Sequence, residues 1–340
     1  MLMKNIWLAV CLAALLFSCN NRQDIPDISG INADIAIERF DRSFFGMDTN
    51  HIPGALEQVR QQYPGFYPDF MQHILGVSGN PADSNTVLVT RAFLRGYADI
   101  YDTLQQVYAE TGWLEKELEK AYRFVKYYFP SYQPGNAITF IGPFDAPGVA
   151  STRSGIAIGL QQYAGQHFSV YRSGPGQELF PLYISRRFSK EYITANCMKA
   201  VADDLFPDQS AGKSLVSQMI EKGKQWYLLD KFLPETPDSV KTGYTQNQLD
   251  WCTANEGLIW SYIIKTEDLH SLNPAVIQTY VGEAPFTQGF SQENSPGNIG
   301  PWIGWQIIKK FVSKNPDLSP ADVMKSDPAR ILEEAKYKPK

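Results

Sequence analysis

The opening nineteen residues, MLMKNIWLAVCLAALLFSC, constrain more than any other feature what this chain can become. Lys4 supplies a positive charge, an apolar run extends from Ile6 to Phe17, and Ser18 and Cys19 follow. A run of about a dozen apolar residues is short of the ~20 that cross a bilayer as a helix, but it suits the core of a secretion signal. Leu16-Phe17-Ser18-Cys19 has the pattern of a lipobox, where a peptidase cleaves before a cysteine whose thiol carries diacylglycerol. Acyl chains hold a protein to lipid at about 0.8 kcal/mol per buried CH₂, so a multiply acylated Cys19 gives a durable anchor. The competing reading is an ordinary cleaved signal with a coincidental cysteine. On the first reading residues 1–18 leave, and everything that folds lies beyond Cys19 and outside the cytoplasm.

Residues 19–34 then form the acylated cysteine and a polar tether (NNRQDIPDISGINAD after Cys19) containing a proline and a glycine. Asn20, rather than an aspartate, follows the anchor, which favours the outer over the inner membrane. The remainder is 44% hydrophobic and 20% charged over the whole chain, the balance of a globular protein with a substantial core. A formal net charge of -5 and the lack of basic runs argue against nucleic acid as a partner, because phosphate binding needs clustered Lys and Arg. Of the four cysteines, Cys11 leaves with the signal and Cys19 is modified. Cys197 and Cys252 are thus a candidate disulfide or two buried free thiols.

Along the chain, residues 35–45 read as an edge strand or extended lead-in. Helical spacing follows over 55–75, broken at Pro64, over 85–110 as one longer helix, and over 113–128. The short, β-branched, glycine-bounded stretches 137–142, 147–151 and 155–160 predict a small sheet with tight turns. A long helix is expected within 179–205, and further helices at 212–228, 246–265, 272–281 and 300–314. The expected architecture is one mostly α-helical α+β domain over 35–325, with residues 326–340 as a C-terminal tail.

Four phrases, IERFD at 37–41, ISRRFSKEYITANCMKAVADDLFP at 184–207, GYTQNQLDWCTANEGLIW at 243–260 and APFTQGFSQENSPGNIGPWIGWQIIKKF at 284–311, resemble the gliding-motility lipoprotein family GldB of the Bacteroidetes. The resemblance covers essentially the whole mature chain. It implies a lipid-anchored envelope protein that serves assembly or operation of the gliding and type IX secretion apparatus, with other proteins of that apparatus as partners and no small-molecule cofactor.

The same order of elements also resembles zincin-like metallopeptidases, with a small mixed sheet, a long central helix and a helical remainder. Their central helix carries H-E-x-x-H, because residues four apart share a helix face and present two imidazoles to one Zn²⁺. The matching stretch here is Asn196-Cys197-Met198-Lys199-Ala200, so an amide, a thiol and a methyl group stand at the three working positions. No two of His51, His73, His167 and His270 lie three or four residues apart. The third zincin ligand falls on a following helix, where IEKGKQWY at 220–227 offers Glu221 or Lys222. The implied molecule is a peptidase fold without its metal and without catalysis; an envelope hydrolase acting through another site is the alternative.

Other candidates each carry a bland alternative. Asp203 and Asp204 end the central helix, where the macrodipole disfavours carboxylates, so a basic partner, Lys199 or plain solvation should offset them. Gly297, Gly300 and Gly304 open the last long helix and suit an anion site or, more economically, close backbone packing against the central helix. Trp302 and Trp305, with Trp226, Trp251 and Trp260, could form a glycan platform or simply pack. Asn196, Asn255 and Glu256 could share one hydrogen-bond network across the former cleft or face solvent separately.

Overall fold

The computed structural model describes residues 25–340, so the signal and Cys19 lie outside the described residues. Residues 25–30 hold a turn in which the Ser29 N–H donates to Asp27 Oδ1 at 2.9 Å. Ile31–Lys340 is a separate compact unit.

That unit opens with strand β1 (Ile37–Arg39) and runs directly into helix α1 (Phe40–Phe45) and then α2 (Ile52–Gln62). The stretch expected as one helix over 85–110 is two, α3 (Ser84–Gly96) and α4 (Ala98–Val107). Its apolar spacing continues across the break, but Tyr97 leaves the helical conformation (φ -110°, ψ 8°) and stacks on Phe93 at 4.5 Å. Helix α5 (Gly112–Tyr128) leads into strands β2 (Asn136–Phe140), β3 (Val149–Thr152) and β4 (Gly155–Gly159). The four strands lie in the order β1-β2-β4-β3, with β1, β2 and β4 parallel and β3 antiparallel on the outer edge. Gly155 sits at φ +133°, and a Cβ there would fall 1.9 Å from the Asn136 carbonyl oxygen, so the β3–β4 turn requires glycine.

Side chains alternate across a strand, and the sheet accordingly feeds two cores. Ala137, Ile156 and Ile158 face the larger one, with α5 and the later helices. Ile138, Phe140 and Ala157 face the smaller one, an aromatic cluster in which the Phe40, Phe44, Phe66 and Phe70 rings interlock. At the junction of sheet and helices sits Asp41, fully buried. Arg39 grips it through Nε and Nη2 at 2.9 and 2.7 Å, Thr139 Oγ1 donates to it at 2.6 Å, and Gln105 Nε2 at 2.9 Å. One carboxylate thus ties β1, α1, β2 and α4 together.

The expected long helix over 179–205 is also interrupted. Pro181 and Ser189 are extended, so only α6 (Ile193–Leu205) is continuous, and the 18-residue α7 (Leu215–Phe232) is the longer neighbour. The expected helix over 246–265 divides at Asn255 into α8 (Gln246–Ala254) and α9 (Glu256–Thr266). Then come α10 (Pro274–Val281) and α11 (Ile299–Lys314). Residues 326–340 are not a tail: Asp327 caps a helix, α13 (Pro328–Ala335), after the short α12 (Pro320–Lys325). Ile331 and Ala335 of α13 are fully buried in the larger core, and Tyr337 joins them. At the other end Ala33 and Ile35 are already in that core, which starts the folded unit a few residues earlier than expected.

Helices α7 and α11 make the closest crossing. A Cβ on Gly304 would lie 1.7 Å from the Met219 carbonyl oxygen, and one on Gly223 would lie 2.3 Å from the Gly304 carbonyl carbon. Gly304 of α11 therefore serves backbone packing, but against α7 rather than the central α6.

Asp41→Ala leaves the Arg39 guanidinium without its carboxylate in a largely buried site, so the variant should lose about 3–5 kcal/mol of stability. Urea unfolding of both proteins measures it; a loss under 1 kcal/mol, the range of exposed pairs, would contradict the structural role given to the pair.

Candidate functional site

Helix α6 presents two faces. Ile193, Ala195, Cys197, Met198, Val201 and Ala202 are buried in the core, whereas Asn196, Lys199, Ala200, Asp203 and Asp204 recur at helical spacing on the other side. That second face forms one wall of a 660 Å³ cleft whose other wall is the edge strand, from Gly148 through Ser151. Gln162 and Tyr163 complete the lining, with Pro207 beyond the helix end. Asn196 and Ala200 thus stand one turn apart facing the cleft, as two helical metal ligands would, but they carry an amide and a methyl group.

The polar groups of the cleft are partly satisfied among themselves. Asn196 Nδ2 donates to the Tyr163 hydroxyl at 3.0 Å, and Lys199 Nζ donates to Asn196 Oδ1 at 3.3 Å. Burial raises the Tyr163 phenol pKa, against a smaller opposing effect of Asn196, so the hydroxyl stays protonated. The Lys199 ammonium is pushed down to about 8, chiefly by burial and further by Arg187, with Glu283 acting in the opposite direction. Asp203 and Asp204 are exposed, and no carboxylate lies within salt-bridge distance of Lys199 among the described residues. The expected offset by Lys199 is therefore absent; Asp203 Oδ1 instead accepts the Asp208 backbone N–H at 3.1 Å, just past the helix end.

The remaining candidates do not gather here. Cys197 points into the core and is fully buried, which raises its thiol pKa and keeps it unreactive. It and Cys252 are both free cysteines, so the candidate disulfide is not formed. Glu221 lies on the wall of a different cavity, where its Oε1 accepts from Lys213 at 2.8 Å and from the buried Lys224 at 3.3 Å. The glycine of IEKGKQWY is Gly223, whose role is the α7–α11 crossing, so the segment is a packing element and not the third arm of the cleft. Gly300 and Gly297 also meet backbone: added Cβ atoms would fall 2.8 Å from the Tyr280 carbonyl oxygen and 1.7 Å from that of Ala284.

No shared network joins Asn196, Asn255 and Glu256. Asn255 Nδ2 donates to the Trp251 carbonyl of its own helical turn at 2.8 Å, while Glu256 Oε1 accepts from the Tyr337 hydroxyl at 2.6 Å. Nor do the tryptophans form a platform. Trp302 and Trp305 are each only 2% exposed. Trp305 Nε1 donates to Asp230 Oδ2 at 2.8 Å, and Asp230 pairs with Lys241 at 2.5 Å. Sequence reasoning missed this buried lock and the Arg39–Asp41 pair. IERFD had stood out only through its likeness to a family, since its partners Gln105 and Thr139 lie 64 and 98 residues away.

Among the described residues, no three His, Cys, Asp or Glu side chains come together in a group able to hold a metal ion. No helix among them is long and apolar enough to cross a membrane.

A depressed lysine pKa has a defined sign. Between about pH 8 and 10.5 the unfolded chain keeps the Lys199 proton and the folded chain releases it, so this group adds stability as pH rises through that window. Below pH 8 folding must bury an ammonium. Lys199→Met should therefore stabilise the protein at pH 7 by on the order of 1–2 kcal/mol, a figure discounted for solvent in the cleft. The advantage should shrink toward pH 10 in denaturant melts; parallel pH profiles for the two proteins would contradict the burial of this charge.

Compared with known proteins, residues 21–339 match a family model described as "Gliding motility protein GldB". No curated protein and no solved structure matches the chain.

Proposed function

Because the chain belongs to the gliding motility protein GldB family, we propose that it serves the gliding or type IX secretion apparatus as a lipid-anchored, non-catalytic component acting through protein contacts. The family supports the anchor and the gliding connection. The remainder rests on one observation, the chemistry of the α6–β3 cleft: the helix face that would grip zinc in a peptidase of similar build carries an amide, an ammonium and a methyl group. An ammonium beside the metal position repels a dication, and the one thiol of the segment is turned into the core. The cleft is lined by polar groups, and no hydrogen bond among the described residues sets a nucleophile against a base there. Asn20 after the anchor supports the outer membrane as the site of attachment, with the domain in the periplasm.

Complementation of a strain lacking the gene separates contact from catalysis. Wild type and Cys197→Ala should restore spreading or secretion alike, Cys19→Ser should be secreted but unanchored and fail, and the purified protein should hold far less than one zinc per chain. Stoichiometric zinc whose removal abolishes a peptidase activity, or a folded Cys197→Ala that fails, would overturn the proposal.

A further inference from the structure

Strand β3 is an edge of the sheet, and its residues Val149, Ala150 and Ser151 line the cleft. The phase of its ladder is fixed at one end, where the Gly159 N–H donates to the Gly148 carbonyl at 2.9 Å across a directly opposed pair. Antiparallel pairing alternates, so Ala150 and Thr152 turn their backbone groups toward β4, and Val149 and Ser151 turn theirs outward. No described residue hydrogen bonds to the outward groups, and Ser151 is exposed. Edge strands are normally blunted by charge, proline or a covering element, because an open row of N–H and C=O groups invites another chain. Here the row is open on a strand that lines a 660 Å³ cleft, within the ~300–1,000 Å³ range of sites that bind compact ligands.

The opposite wall is electrically bipolar. Lys199 has only the Asn196 amide oxygen as its partner among the described residues, and Asp203 keeps one carboxylate oxygen beyond its bond to the Asp208 N–H. Four helical residues advance ~6 Å, at 1.5 Å each. Two residues of an extended chain advance ~6.7 Å and return to the same face. The spacing of the two charges on α6 is therefore close to that of alternate side chains of an extended strand.

We propose that the cleft takes an extended segment of a partner protein, added to the free edge of β3, with an acidic and a basic side chain two residues apart set against Lys199 and Asp203. Backbone pairing with Val149 and Ser151 supplies the affinity, and the charge pair selects the segment, as in other strand-addition complexes. This rests on the non-catalytic reading of the same cleft.

Nine synthetic heptapeptides Thr-Val-X-Val-Z-Val-Thr, with X and Z drawn from Asp, Lys and Ser, test it against the acylated mature chain in detergent at pH 7. One of the two mixed-charge orders should bind at least tenfold more tightly than the other order and than the like-charged peptides. Lys199→Glu should shift the preference to the Lys/Lys peptide. Ser151→Pro removes an outward N–H at a position where an edge strand tolerates proline, and should cost at least tenfold in binding with an unchanged melting temperature. Absence of binding at millimolar peptide, equal binding of both orders, or indifference to Ser151→Pro would overturn the proposal. So would tighter binding of a peptide of residues 20–30, which would assign the edge to the chain's own tether, or self-association that the peptides displace, which would assign it to a second copy. Mass spectrometry of the bound peptides keeps the two readings apart: an intact peptide that fails to bind refutes only the strand addition, whereas a cleaved one refutes the non-catalytic function.

Discussion

Gly223 and Gly304 bring α7 and α11 so close that either Cβ would strike the other helix's backbone. Much of the larger core is arranged around that crossing. With the backbones in contact, Met219 and Ile220 on one helix and Ile303, Ile307 and Ile308 on the other are fully buried. The indole of Trp305 reaches Asp230 along the same interface, and Lys241 closes the lock from a short helix beyond. Helix α13 then seals α11 from outside, and α6 packs on α7 from the sheet side. The separation tolerated by two hydrogen atoms thus sets where α6 stands, and α6 carries the cleft.

A second constraint holds the sheet to this helical body. Asp41 is buried with a full complement of donors, and breaking such a group's pairing leaves an uncompensated charge in a dry site. Because Arg39 also donates to the Tyr108 carbonyl, the same pair fixes the end of α4. The edge strand β3, opposite β1 in the strand order, is therefore held by a pinned framework.

Much of this was readable in the sequence, and the misses have physical causes. Local spacing located α2, α5, α10 and α11 and the three strands between 136 and 159, because apolar period and glycine-bounded turns are local signals. Breaks at Tyr97, Ser189 and Asn255 were invisible, since the apolar period runs on while the backbone bends to satisfy tertiary contacts. The terminal helix has local signals too, an N-cap at Asp327 before Pro328 and buried Ile331 and Ala335 one turn apart, which a reading of residues 326–340 as a tail passes over. Of the site, the shared helix face of Asn196 and Ala200 is legible from their four-residue spacing, and both line the cleft. The place of Lys199 between them, the inward turn of Cys197 and the open phase of β3 depend on how helix and strand are docked. Glu221 and Trp302 were misplaced for the same reason: a residue type suggests a chemistry, but burial and neighbours decide whether it can be exercised.

On the proposed reading, the cleft and its framework belong to a molecule that grips rather than cuts. Whether the cleft holds a partner in the living cell is tested most directly by photocrosslinking from a reactive side chain introduced at Ser151, with exposed Leu88, outside the cleft, as control. The account predicts one discrete protein adduct from position 151, lost when Lys199→Glu is added, and none from position 88. The same faint smear from both positions, or an adduct indifferent to Lys199, would contradict it.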